Sequence, residues 1–218
     1  MKVARLNAAK LCTVVLLCAF CQPSACQETD QASLSSQEQA LLKEKILLFI
    51  DLGQHSKALK LLIPLLDKNP LESDLLFFAG RIELAKGNLM GAESRYLESL
   101  KVDPRSVRSY LGLGMLYGRK GDFKRALLMF NHAVEIDPLN PKAYSDRGVT
   151  RGALNQFKDS IRDFDRAIEL SPRYADAYRN RGIARESLKD LSAACSDWSI
   201  AAALGQDDPA RWFRIHCK

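Results

Sequence analysis

Four residue series run through this chain in one phase at an interval of 34. Pro70, Pro104, Pro138 and Pro172 form the first; Gly80, Gly114, Gly148 and Gly182 the second; Tyr96, Phe130, Phe164 and Trp198 the third; Ala92, Ala126, Ser160 and Ala194 the fourth. A fixed period of that length marks a chain built from one supersecondary unit stacked on itself. No such unit buries its apolar face alone, so neighbours must supply a continuous core.

Helix punctuation recurs with the period. In one unit a first helix from about Val107 to Lys120 stops at Gly121, Asp122 is of N-cap type for the next helix, and Pro138 closes it. Asn88 and Asp190 take the capping role in other units, Asn140 and Pro141 pair a cap with a first-turn proline, and Ser36 with Gln39 has capping-box spacing. Each unit therefore reads as two antiparallel helices. Such helices approach closely only where a side chain is nearly absent, so Gly114 is expected to face Ala126 or its neighbours, with Phe130 filling the space between successive units. The expected fold class is all-α: a right-handed α-solenoid of antiparallel helix pairs closed by a C-terminal capping helix.

Tyr110, Leu113, Gly114, Tyr117, Gly121, Ala126, Phe130, Ala133 and Pro138 fall where the tetratricopeptide repeat family has its pattern, and over about 73–206 the chain resembles that family. Residues 39–72 resemble a divergent first repeat. Gly53, Ala58, Leu62 and Pro70 match, whereas Ile46 stands where a small residue is usual and Pro64 is expected to interrupt the second helix. The organisation expected is a signal segment over 1–26, a linker over 27–36, repeats at 39–72, 73–106, 107–140, 141–174 and 175–206, and a capping helix over 207–218. In that last segment Pro209 suits a first turn, while Trp212 and Phe213 read as cap packing.

The resemblance implies a protein-binding scaffold whose first helices line a concave wall. Helical spacing from Gly114 selects Arg108, Leu111, Met115 and Arg119 for that wall. The same offsets select Asp74, Phe77, Arg81 and Leu84 before it, then Lys142, Ser145 and Val149, then Asp176, Arg179 and Ile183. Exposed Phe77, Leu111, Met115, Val149 and Ile183 would call for a partner, and the basic flanks favour an acidic peptide or a carboxylate terminus. The Lys and Asn pairs with which family members clamp a peptide C-terminus are not found. A rival expectation is a structural or self-associating repeat protein whose groove is filled by its own arm or by a second copy.

One pair of positions switches character between units. Leu113 and Met129 become Arg147 and Asp163 in the next unit, then Arg181 and Asp197 in the one after. Each Arg is expected to bond the Asp of its own helix pair in a partly buried site. Near the end of the stack, Cys195 and Cys217 lie symmetrically about Gln206. An antiparallel hairpin turning there brings them side by side, and in an exported protein that favours a disulfide.

Export is suggested by Lys2, Arg5 and Lys10, an apolar run from Leu11 to Phe20, and the small residues Ser24-Ala25-Cys26. Cleavage near Ala25 and lipid attachment at Cys26 both remain open; the apolar run is too short to span a bilayer, so any membrane association would come through lipid. Removing the first 26 residues leaves 29 basic residues against 26 acidic ones. A mature charge that small does not point to nucleic acid.

No catalytic, metal or cofactor site is expected. His55, His132 and His216 are scattered, and only His132 has a carboxylate, Glu135, one turn away on its face. Gly112, Gly114 and Gly118 have the look of a dinucleotide fingerprint, yet they lie inside a helix with no strand before them.

Overall fold

The computed structural model describes residues 35–206 and Cys217. Among them are ten helices and no strands: α1 (Ser36–Asp51), α2 (His55–Lys68), α3 (Ser73–Ala85), α4 (Leu89–Val102), α5 (Val107–Arg119), α6 (Phe123–Ile136), α7 (Pro141–Ala153), α8 (Phe157–Leu170), α9 (Ala175–Ser187) and α10 (Leu191–Ala203). Two compact units divide the chain, Met1–Gln39 and Ala40–Lys218. Of the first, only Ser35 and the opening turn of α1 are described; the second carries the stack. The expected signal segment, most of the linker and the capping helix with Trp212 and Phe213 lie outside the described residues.

Side chains at the helix starts accept backbone N–H groups that have no partner inside the helix. Asn88 accepts from Gly91 N–H, Asp122 from Arg125, Asn140 from Ala143 and Asp190 from Ala193. The capping box of α1 lies one residue upstream of the expected pair. The Ser35 hydroxyl accepts from Glu38 N–H at 3.3 Å, and the Glu38 carboxylate accepts from Ser35 N–H at 2.8 Å. A carboxylate at a helix N-terminus also gains from the helix dipole, which Gln39 cannot offer. Pro64 does not interrupt α2, which runs through it to Lys68. The missing N–H removes one backbone bond, while the buried side chains of Ala58, Leu62 and Leu65 hold the helix together.

Consecutive helices pack along the chain from α2 to α10, and the first helices α3, α5, α7 and α9 also touch one another in turn. Successive second helices do not approach so closely, which makes the first-helix side the inner side of the stack. The glycine of each first helix faces an aromatic ring of its own pair rather than a small residue. A Cβ added to Gly80 would lie 2.7 Å from the Tyr96 ring, on Gly114 2.5 Å from Phe130, and on Gly148 2.9 Å from Phe164; Gly182 meets Trp198 in the same way. The ring is the object that needs the room, and Ala126 is itself fully buried. A Cβ added to Gly112 of the following unit would likewise lie 2.7 Å from the Tyr96 ring.

Candidate functional site

The inner face differs between its two halves. Phe77 and Leu111, expected as exposed contacts, are only 7% and 8% exposed. Phe77 is absorbed into the core, its ring centroid 5.7 Å from Phe78 and 5.9 Å from Tyr96. Helical spacing identifies the face of a residue but not whether a neighbouring repeat covers it. Met115 is half-buried, and Val149 and Ile183 stand 49% and 42% exposed. These three occupy the same position in successive units, so they form one apolar line across α5, α7 and α9.

The basic flanks of this face already have partners. Arg81 bonds Asp51 at 2.9 Å, Arg108 bonds Asp74 at 3.0 Å, and Lys142 bonds Asp146 at 2.8 Å. Arg119 donates to the Leu84 carbonyl at 3.0 Å, and the Arg179 carbonyl accepts from Trp198 Nε1 at 3.3 Å. Burial raises the Asp146 carboxyl above its ordinary range, and the nearby Asp176 charge adds to this, while Lys142 opposes it. Exposed pairs of this kind contribute about 0–1 kcal/mol each and exchange readily for a competing anion.

Beneath the face lie two ionic clusters. Arg147 grips Asp163 through Nη2 at 2.7 Å and Nε at 3.1 Å, while Arg151 reaches the same carboxylate at 2.8 Å. One unit later, Arg181 grips Asp197 at 2.6 and 3.0 Å, and Arg185 adds a bond at 2.8 Å. The remaining amino group of each central arginine crosses to the preceding repeat. Arg147 Nη1 donates to Asn131 at 3.2 Å, and Arg181 Nη1 donates to Asp165 at 2.6 Å. Burial opposes the Arg181 charge, yet the bonds to Asp197 and Asp165 raise its pKa above the ordinary guanidinium value. Tyr144 and Tyr178 lie under the two guanidinium groups, 5.3 and 5.4 Å from ring centroid to carbon.

Arg151, Arg185, Asn131 and Asp165 escape a reading that compares only the two switched positions. The signal was present nonetheless: Tyr117 becomes Arg151 and then Arg185 over the same interval that turns Leu113 into Arg147 and Arg181. Three positions change together.

His132 Nδ1 lies 3.5 Å from Glu135 on an exposed surface, and among the described residues no three His, Cys, Asp or Glu side chains gather to hold a metal. His216 and Cys26 lie outside the described residues. No described helix is long and apolar enough to cross a membrane. The Cα atoms of Cys195 and Cys217 are 5.7 Å apart, within the range that a disulfide requires.

The model of the tetratricopeptide repeat family matches residues 44–100, 79–141 and 146–209. Among solved structures, a thermophilic tetratricopeptide repeat protein of Thermus thermophilus aligns with a TM-score of 0.69 at 19% identity, covering 82% of this chain and 98% of its own. MamA of Desulfovibrio magneticus aligns with a TM-score of 0.63 at 18% identity, covering 80% of this chain and 99% of its own. At that identity the likeness concerns the fold alone. No curated protein sequence matches the chain.

Proposed function

This chain belongs to the tetratricopeptide repeat family, and on that premise we propose that it is a non-enzymatic scaffold that holds a peptide or protein segment on its inner face. The observation that carries the reading is the line of Met115, Val149 and Ile183, at the same position of three successive repeats, with Val149 and Ile183 exposed. Apolar side chains repeated in register along a stack form a continuous strip that a partner segment covers. The flanking Arg81, Arg108, Arg119, Lys142 and Arg179 give that partner acidic or carboxylate character. We place its work beyond the cytoplasm, on the basic, apolar and small-residue succession of residues 1–26, with either cleavage near Ala25 or lipid on Cys26. A bond between Cys195 and Cys217 belongs to the same proposal, since thiols that close together oxidise in such compartments.

Crosslinked affinity capture from the native host, comparing the intact protein with a Met115→Glu, Val149→Glu double variant of unchanged helicity, tests the reading. Partners that disappear with the variant support the inner face as the working surface, and partners that persist overturn it. The rival, self-association, draws on a different surface: Leu41, Leu48 and Leu52, 65%, 54% and 59% exposed, run down one side of α1 and just past its end. A native mass that rises with concentration and returns to the monomer in Leu48→Glu would favour that rival.

A further inference from the structure

Among the described residues, α1 lacks the preceding neighbour that every later first helix has. One period after Leu41, and at each period beyond, stand Leu75, Ser109, Ala143 and Ala177, all fully buried. The corresponding series from Leu48, formed by Ile82, Leu116, Thr150 and Ala184, is at most 5% exposed. These positions face the second helix of the preceding unit. The Ser109 hydroxyl shares a 2.7 Å hydrogen bond with Ser99 of α4, and Ala177 and Ala184 pack with Phe164 and Ala167 of α8. Leu41 and Leu48 hold the same two positions on α1, yet they are 65% and 54% exposed. The face that joins one repeat to the one before it is thus open at the start of the stack.

The residues before α1 carry no matching complement in register. Continued backward, the 34-residue interval sets Glu28 and Gln31 at the positions that Phe164 and Ala167 hold on α8. The far end of the stack is already closed. Trp198 and Ala201 hold those positions on α10 and are 1% and 0% exposed although no described helix follows, and the Cys217 Cα returns to within 5.7 Å of that of Cys195. A head-to-tail array, which would seat α1 of one copy on α10 of the next, is therefore blocked. Between copies, an isologous contact of α1 with α1 is what remains.

The charges on α1 suit such a contact and give it a direction. Glu44 and Lys45 are adjacent and exposed, and among the described residues neither has an ion-pair partner. At roughly 100° per residue they fall on opposite sides of the line from Leu41 to Leu48. In a parallel pair related by a two-fold axis along the helices, Glu44 of each copy meets Lys45 of the other. An antiparallel pair sets like charges side by side instead.

We infer that α1 is a pairing surface for a second copy of this chain, the two helices lying parallel with Leu41, Leu48 and Leu52 against their counterparts and Glu44 beside the Lys45 of the other copy. The inference deepens the self-association reading by naming its face and orientation. Met115, Val149 and Ile183 lie on other helices and stay free, so the pairing adds to the groove reading, which only a second copy seated in the groove would replace. One helix face on each side is less than the roughly 800 Å² that each partner of a standard complex buries, which makes the pair weak and reversible.

Sedimentation equilibrium of the full-length protein over a wide concentration range tests the pairing. The mass is expected to rise with concentration and to level at two chains, and Leu48→Glu, at unchanged helicity, is expected to hold it at one. Glu44→Lys alone and Lys45→Glu alone are each expected to weaken pairing by about fivefold or more, and the two together to restore it, because opposite charges then meet again. A mass that stays at one chain overturns the pairing and self-association together; a crosslink to another protein that Leu48→Glu abolishes would then give the face to that protein. A rise that Leu48→Glu leaves intact overturns the pairing alone, and its loss in Met115→Glu, Val149→Glu would put the second copy in the groove. A mass that climbs past two chains, or a charge exchange that restores nothing, contradicts the parallel two-fold geometry.

Discussion

Arg147 and Asp163, sixteen residues apart on the facing helices α7 and α8, meet at 2.7 Å with only 3% of the Asp163 side chain exposed. The same carboxylate also carries Arg151 at 2.8 Å, so one buried anion is shared by two cations. Removing the anion alone in Asp163→Ala strands both, at an expected cost of about 3–5 kcal/mol. Installing the residues of the preceding repeat together, Arg147→Leu, Arg151→Tyr and Asp163→Met, removes charge and desolvation at once. That variant is expected to stay within about 1 kcal/mol of the parent or to exceed it. Urea unfolding of both distinguishes them, and a loss below about 1 kcal/mol for Asp163→Ala would contradict a buried pairing.

The turn after each first helix requires a left-handed residue, and the repeats meet that need unequally. Gly53, Gly87 and Gly121 adopt φ of +68°, +82° and +75°, whereas Asn155 and Lys189 take +59° and +65° at the same point of later units. A Cβ in this region costs about 1–2 kcal/mol, less for Asn, whose side chain bonds locally. Lys189→Gly is expected to raise stability by about 1 kcal/mol and Asn155→Gly by less. A calorimetric Tm that falls in Lys189→Gly would show that the lysine side chain contributes more than its strain removes.

Glu93 of α4 ties the second unit to the third, bonding the Lys120 ammonium and accepting from the Tyr117 hydroxyl at 2.8 Å. The Lys120 hydrogen bond is the largest effect and, with the Tyr117 bond, holds the carboxyl below its ordinary 4.5 against the opposing effect of burial. A carboxyl depressed in the folded state binds fewer protons than in the unfolded chain. Its stabilisation is therefore complete above 4.5 and fades as pH falls through the lower folded value. Tm measured across that acid range should drop more steeply for the parent than for Glu93→Gln. Parallel curves for the two proteins would remove this pair from the acid response.

Much of the fold was legible because its determinants are local or periodic. The 34-residue interval and the caps at Asn88, Asp122, Asn140 and Asp190 are all properties of single repeats. What escaped depends on the neighbouring repeat. Phe77 and Leu111 sit at inner-face positions, but the sequence does not tell how far adjacent units cover them, and both are buried. Arg108 finds Asp74 exactly one period away, a relation between repeats that reading one helix at a time overlooks. Tyr96 reads as an ordinary member of the aromatic series, and its buried hydroxyl, without a hydrogen-bond partner among the described residues, sets it apart.

Cys195 lies in the last described helix and Cys217 near the end of the chain, separated by 22 residues with Cα atoms 5.7 Å apart. A bond between them would tie the segment after Leu204 to α10, restricting the unfolded chain by an amount worth roughly 3 kcal/mol for a loop of that size. Reductant is therefore expected to lower the unfolding midpoint of the native protein and to leave a Cys195→Ala, Cys217→Ala variant unchanged. Thiol alkylation followed by mass analysis supplies the direct measurement. Protein taken from an oxidising compartment should show neither residue labelled before reduction and both labelled after it. Labelling of both without reductant would leave two neighbouring thiols, and would also weaken the proposal that the chain works where disulfides form.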